Sequence, residues 1–303
     1  MKIVAISMVR DEADIIATNI LFHLATGIDE FLILDNGSSD ATPRILRAMS
    51  RRTGRVRWTR DAGPYLQSKM TTDLARDAHR DGADWVLVID GDEFWSAEGG
   101  LKAFLAQTPA QVLYAPVVNF IQRREQIEST PEALLTMTRR APRPLGPIES
   151  IEELVVSQQI AFVEMEYPWK CVSRASADIE IHPGNHMVSG LGPPHDRTEQ
   201  IVCMHAPLRS RDMLVQKAES TGSRVEGGGF QPGQAWHLRR WRRLFEQGLM
   251  DAEWAANSYA DGMLDLFGLP RETASDTRLR DAVAPFVAEA KALRPRRFRM
   301  FSG

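Results

Sequence analysis

The chain has 303 residues, enough for one large α/β domain or a medium domain with an appendage, and ample for a buried core. A formal net charge of -3 creates no basic field over the whole molecule, so long-range attraction to nucleic acid is not expected. The two cysteines, Cys171 and Cys203, lie far apart without a CxxC partner, which indicates neither a disulfide framework nor a zinc knuckle and fits a reducing cytoplasm.

The opening MKIVAISMVRDEADII meets charge at Arg10, Asp11 and Glu12, too early for a signal-peptide core, and no uncharged apolar run reaches the ~18 residues of a membrane helix. Residues 2–9 are apolar and β-branched without clean alternation, the pattern of a central parallel strand covered on both faces. From Asp14 to Ala25, Ile15, Ile16, Ile20, Leu21 and Leu24 recur at helical spacing, with Gly27 as the stop. A strand over Glu30–Leu34 runs into the turn-forming DNGSSDAT, where Ser39 or Asp40 is placed to cap a helix carrying Ile45, Leu46 and Met49. A third strand at 56–60, a helix over Ser68–Arg80 and a fourth strand, WVLVID at 85–90, continue the alternation that predicts a parallel sheet.

Gln111–Phe120 reads as a further strand, and Gln122–Pro147, rich in Arg, Glu and Pro, as a loop or insertion. Strands are expected again at AFVEM, WKCVSR, IEIHPGNHMV and IVCMHA, interrupted by GLGPPHD, so the second half should complete a mixed sheet. Helices are expected over Arg211–Thr221, Ala235–Gly248, Asp251–Phe267 and Ala282–Leu293, with the Gly227–Gly229 run marking a junction.

The most informative string is DWVLVIDGDEFW at 84–95. A buried strand delivers Asp90, Gly91, Asp92 and Glu93 to the carboxyl edge of a parallel sheet, where open α/β folds bind ligands. Two aspartates flanking a glycine can present oxygens to a hard divalent cation while leaving room for phosphates to complete its shell. The structural alternative is a strand end followed by an acidic helix start, which Glu93 and Glu98 would suit.

The strings ISMVRDEADII, FLILDNGSSDAT, LQSKMTTDLARDAHRDGADWVLVIDGDEFW and CMHAPLRSRDMLVQKAESTG, in this order, resemble family 2 glycosyltransferases of the GT-A fold, most of all a soluble bacterial subgroup with a D-x-D-E-F motif. The match covers roughly 1–120 strongly and 200–222 more weakly. It implies an α/β fold, the Rossmann-like GT-A mixed sheet flanked by helices. Residues 1–222 would form the transferase domain, with 1–120 its nucleotide-sugar half and 121–222 its acceptor half, and 223–303 would form a helical C-terminal extension.

Carried over at matching positions, the resemblance implies that Arg10, Glu12, Asp35 and Asn36 line the nucleoside site, and that Lys69 meets the diphosphate. Asp90 and Gly91 would approach the donor, with Asp90, Asp92 and His205 as ligands of Mn²⁺ or Mg²⁺. Asp35-Asn36-Gly37 also reads as a plain turn, Lys69 as a surface lysine and His205 as a buried histidine satisfying a carbonyl. Four of the seven histidines, His182, His186, His195 and His205, cluster in this half, but His182 and His186 straddle Pro183 and Gly184, which excludes an HExxH zinc helix.

Inverting transfer, which the resemblance implies, needs a base for the acceptor hydroxyl. Glu152, Glu153, Glu164, Glu166 and His186 lie where such a base is expected. Glu166 is preferred, since Tyr167 and Trp169 beside it would stack on a sugar and desolvate the carboxylate. In WHLRRWRRLFEQGL, arginines beside aromatics suit either a helix packed through its rings or a peripheral membrane contact and a lipid-linked acceptor.

The expected activity is metal-dependent transfer of a sugar from a nucleoside diphosphate sugar to a hydroxyl of a saccharide or other acceptor, in the cytoplasm. The rivals are a catalytically silent nucleotide- or glycan-binding protein and a sugar nucleotidyltransferase. The latter class opens with a glycine- and lysine-rich phosphate loop that MVRDEAD lacks.

Overall fold

The computed structural model describes residues 1–146, 151–220 and 236–294. The β-α alternation expected of the first half is present: β1 (Ile3–Val9), α1 (Ile16–Thr26), β2 (Glu30–Asp35), α2 (Thr42–Thr53), β3 (Val56–Arg60), α3 (Gln67–Arg80) and β4 (Trp85–Val88). β1 pairs in parallel with β2 and β4, and β2 with β3. Successive residues of these strands face opposite layers. Ile3, Ala5, Trp85 and Leu87 belong to one core cluster, and Val4, Ile6, Val86 and Val88 to the other, beneath Ala75 and Ala78 of α3. Burial on both faces is why the strands read as continuous apolar runs, and each fully buried large apolar side chain contributes about 1.5–3 kcal/mol.

After the acidic turn the chain forms a strand, β5 (Glu93–Ala97), not the helix of the structural alternative, and then α4 (Leu101–Gln107). The expected strand over 111–120 is two, β6 (Val112–Ala115) and β7 (Val117–Asn119), broken at Pro116, which has no N–H for a continuous ladder. Past a short helix, α5 (Ile151–Val156), come β8 (Lys170–Arg174), β9 (His195–Arg197) and β10 (Ile201–His205). β8 runs antiparallel to both β4 and β6, giving a mixed seven-stranded sheet in the order β9-β6-β8-β4-β1-β2-β3. β10 is the central strand of a second, three-stranded sheet, antiparallel to β5 and parallel to β7.

The described C-terminal residues add α6 (Arg211–Ser220), α7 (Trp236–Glu246), α8 (Met250–Ala256) and α9 (Arg278–Leu293). The Gly227–Gly229 junction and the expected boundary at 222 lie outside the described residues. The segment beyond 236 is not purely helical, because the expected helix 251–267 ends at Ala256 and strands follow at Ser258–Ala260, Met263–Leu266 and Leu269–Glu272. Nor does α9 stand apart: Leu279, Val283 and Val287 pack with Phe22 of α1 and Phe94 of β5.

One local expectation is also corrected. AFVEM is a short 3-10 turn, Phe162–Glu164, with Glu164 accepting from the Ala161 N–H. Asp40, one of the two residues expected to cap α2, does so: its carboxylate accepts from the Thr42 N–H in the first turn (2.8 Å) and also from the Ala13 N–H, tying the two loops that follow β1 and β2.

Candidate active site

The carboxyl ends of β1, β2, β4 and β10 converge on a cleft of about 630 Å³. Arg10 and Glu12 reach it from β1, Asn36 from β2, Asp90, Gly91 and Asp92 from the turn after β4, and His205 from β10. The turn is held by Asn19 of α1, whose buried amide donates to the carbonyls of Gly91 (3.2 Å) and Glu93 (2.7 Å), and by the Ala206 N–H on the Asp92 carbonyl (2.8 Å). Gly91 leaves little room beside it: a Cβ there would lie 3.2 Å from Cγ of Glu12, which would have to give by a few tenths of an ångström.

Asp92 is the buried anion of the cleft. Arg209 Nη1 lies 3.6 Å from its Oδ2, Lys217 Nζ 3.4 Å from the same oxygen, and His205 Nε2 3.6 Å from its Oδ1. Burial alone would raise the carboxyl's pKa, but Lys217, His205 and Arg209 override it and hold the group well below the usual carboxylate range. Glu12 goes the other way. Burial outweighs Arg209 and Lys217, and Asp92 and Asp14 add repulsion, pushing its pKa up to about 7.

Asp90 stands in a separate cluster. Its Oδ2 accepts from Lys170 Nζ (2.6 Å) and its Oδ1 from Asn185 Nδ2 (3.0 Å), while the same ammonium lies 2.6 Å from Glu93 Oε1. Burial disfavours the charge on Lys170, yet Asp90 and Glu93 hold its pKa well above the ordinary value. Burial pushes Glu93 up to about 7 despite Lys170.

The expected ligand triad of Asp90, Asp92 and His205 is therefore not gathered. Both Asp90 oxygens are engaged elsewhere, and among the described residues no three His, Cys, Asp or Glu side chains converge as a metal cage. Asp92 and His205 do stand together, and one carboxylate with one imidazole fits a divalent cation whose remaining ligands are phosphate and water oxygens.

Of the other expected site residues, Glu166 and His186 line the cleft. Burial, reinforced by Lys170, lowers the pKa of His186 to about 4, so its ring is neutral at pH 7. Asp35 and Lys69 do not line it. Asp35 is fully buried and builds the following turn by accepting from the Ser38 N–H (3.0 Å), and Lys69 is exposed and pairs with Asp73 one turn along α3 (2.6 Å). Asn36 reaches the cleft wall with its amide donating to the Asp61 carbonyl (3.0 Å).

Sequence reasoning missed Lys170, Arg209, Lys217 and Asn119. Arg209 and Lys217 lie inside the string CMHAPLRSRDMLVQKAESTG, but nothing in their spacing marks them as facing Asp92. The aromatic stripe of α7 has a structural explanation: Trp236, Trp241, Leu244 and Phe245 pack inward with Phe162 and Trp254, and Arg240 is buried against Glu253. Among the described residues, no helix is long and apolar enough to cross a membrane.

No protein-family model and no curated protein matches the chain. Among solved structures, residues 1–349 of S. aureus TarS in complex with UDP-GlcNAc are similar with a TM-score of 0.44 and 12% identity, covering 81% of this chain and 72% of that one. The same portion of TarS in complex with UDP gives 0.40 at 12% identity, covering 81% and 71%. HddC from Yersinia pseudotuberculosis, complexed with GMP-PN, gives 0.29 at 14% identity, covering 39% and 59%. Similarity at this level transfers neither residue roles nor activity.

Proposed function

We propose that the chain is a GT-A glycosyltransferase passing a sugar from a nucleoside diphosphate sugar to a hydroxyl of a saccharide or other acceptor, with inversion. The observation that carries this reading is the convergence of Asp92, His205, Arg209 and Lys217 at the carboxyl edge of the parallel strands, in a cleft with room for a nucleotide. Arg10 and Asn36 lie at the β1 and β2 end and are assigned the nucleoside. Lys217, which lines the cleft, is assigned the diphosphate, whose charge it opposes at the moment it leaves, while buried Arg209 holds Glu12, Asp14 and Asp92 in place behind it.

Asp92 and His205 would hold Mn²⁺ or Mg²⁺, which when bound supplies Lewis-acid stabilisation to the departing diphosphate. Glu166 is the proposed base, taking the acceptor hydroxyl proton as that oxygen attacks the anomeric carbon. His186, neutral and lining the same cleft, is the second candidate.

A thermal-shift series with UDP, GDP, dTDP and CDP, each with and without Mn²⁺, tests the reading, because a ligand of the native state raises the melting temperature. One nucleotide should stabilise the protein in a Mn²⁺-dependent way, and Asp92→Asn should abolish the Mn²⁺-dependent part. No stabilisation by any nucleotide would leave a glycan-binding protein without transferase activity as the better reading.

A further inference from the structure

Asn119 ends β7 at the position that the parallel ladder sets directly beside His205 of β10. Both side chains are buried. The amide of Asn119 has only one orientation that satisfies its surroundings. Its Nδ2 lies 2.9 Å from the Met165 carbonyl, an acceptor, so the nitrogen must face Met165 and the oxygen must face His205. That oxygen lies 2.8 Å from His205 Nδ1 and can only accept. Nδ1 therefore carries a hydrogen, and in the neutral ring the lone pair belongs to Nε2. Nε2 in turn faces Asp92 Oδ1 at 3.6 Å, so the ring position left open by the Asn119 bond, whether it carries a proton or meets a cation, is aimed at that carboxylate.

We propose that Asn119 is a positioning residue that sets the His205 tautomer and ring orientation, presenting the Nε2 lone pair, together with Asp92, to the divalent cation of the transferase. The proposal rests on the cation assignment made above and adds the reason that His205 can serve it. A histidine that binds a metal through one nitrogen needs its other N–H anchored, and loss of such an anchor typically costs 10–100-fold in metal affinity. The anchor here comes from a neighbouring strand, and the Met165 carbonyl fixes its polarity.

The test is nitrogen-resolved NMR of the histidine rings in the whole protein, with Mn²⁺ affinity measured in parallel by the signal of the free ion. Wild-type His205 should show the Nδ1–H tautomer, broadened by substoichiometric Mn²⁺. Asn119→Ala should admit the Nε2–H tautomer and weaken Mn²⁺ binding by about 10-fold or more. Asn119→Asp keeps an acceptor facing Nδ1 but loses the donor to the Met165 carbonyl, so it should keep the wild-type tautomer at some cost in stability, and a tautomer kept in a destabilised protein separates positioning from a general loss of fold. An Nε2–H tautomer in the wild type, or unchanged Mn²⁺ affinity in Asn119→Ala with the fold intact, would overturn the proposal. Failure of the nucleotide-sugar reading would instead appear as absent nucleotide binding with the tautomer and Mn²⁺ results unchanged.

Discussion

The Arg209 guanidinium grips the Asp14 carboxylate at two points, Nε to Oδ2 at 2.8 Å and Nη2 to Oδ1 at 3.0 Å, across 195 residues of chain. The same Nη2 donates to Glu12 Oε2 at 2.7 Å, and Nη1 lies 3.6 Å from Asp92. One buried side chain thus locks the loop after β1 to the loop after β10 and sets two walls of the cleft. Removing one partner of a buried charge cluster leaves the others uncompensated. Arg209→Met should destabilise the protein by about 3–5 kcal/mol in urea unfolding. Arg209→Lys should recover only part of that, because an ammonium cannot reproduce the fork.

Gly91→Ala places a methyl 3.2 Å from Cγ and 3.3 Å from Cδ of Glu12, and Glu12 is held by Arg209, so the contact cannot relax freely. A loss of about 1–3 kcal/mol is expected. Combined with Glu12→Ala, which makes room, the two changes should cost less than their sum in a double-mutant cycle. Additive losses would show that Glu12 is not what the glycine accommodates.

The two candidate bases separate kinetically. Glu166→Gln should lower kcat by on the order of 10²–10⁴-fold while nucleotide binding in the thermal-shift series is retained. His186→Gln should have a smaller effect, because a ring whose pKa is lowered to about 4 is a weak base at pH 7. The reverse ranking would move the base to His186.

Acid should destabilise the fold partly through His23. Its Nδ1 bonds the Asn19 carbonyl (2.9 Å), and its Nε2 accepts the Trp95 N–H (3.0 Å), which a second ring proton would break. Burial accordingly lowers its pKa from 6.5 to about 4. As pH falls, the unfolded chain takes up this proton first, so the contribution is present at neutral pH and is lost between about pH 6.5 and 4. His186 and His237, also lowered to about 4, act in the same direction. Glu12 and Glu93, pushed up to about 7, oppose them. His23→Gln should flatten the acid limb of stability against pH by roughly 3 kcal/mol. An unchanged limb would mean that His23 is not the responsible group.

The alternation of strands and helices up to residue 88 was legible because each element reports its own burial through its apolar period: WVLV is buried on both faces and reads so, and Gly27 ends α1 where expected. The acidic turn was legible for the same reason, since carboxylates placed directly after a buried strand fall at the sheet's ligand-binding edge. Where several short elements share an apolar stretch, period alone could not place the breaks. Residues 251–267 hold a helix and two strands, and AFVEM a single tight turn.

The division of labour between the two aspartates was decided by tertiary structure. Asp90 and Asp92 are nearly indistinguishable in the string DGDEF, yet one faces Lys170 of β8 and the other His205 at the end of β10 and Arg209 and Lys217 beyond it. Those partners are set by which strands lie side by side and in what register, as in the ladder that puts Asn119 against His205. By itself the sequence determined that carboxylates would stand at the sheet's edge. Only the folded arrangement decided which is neutralised by a buried lysine and which stands beside an imidazole, because ion pairing depends on distances between segments remote in the chain, whereas hydrophobic period is a property of each segment alone.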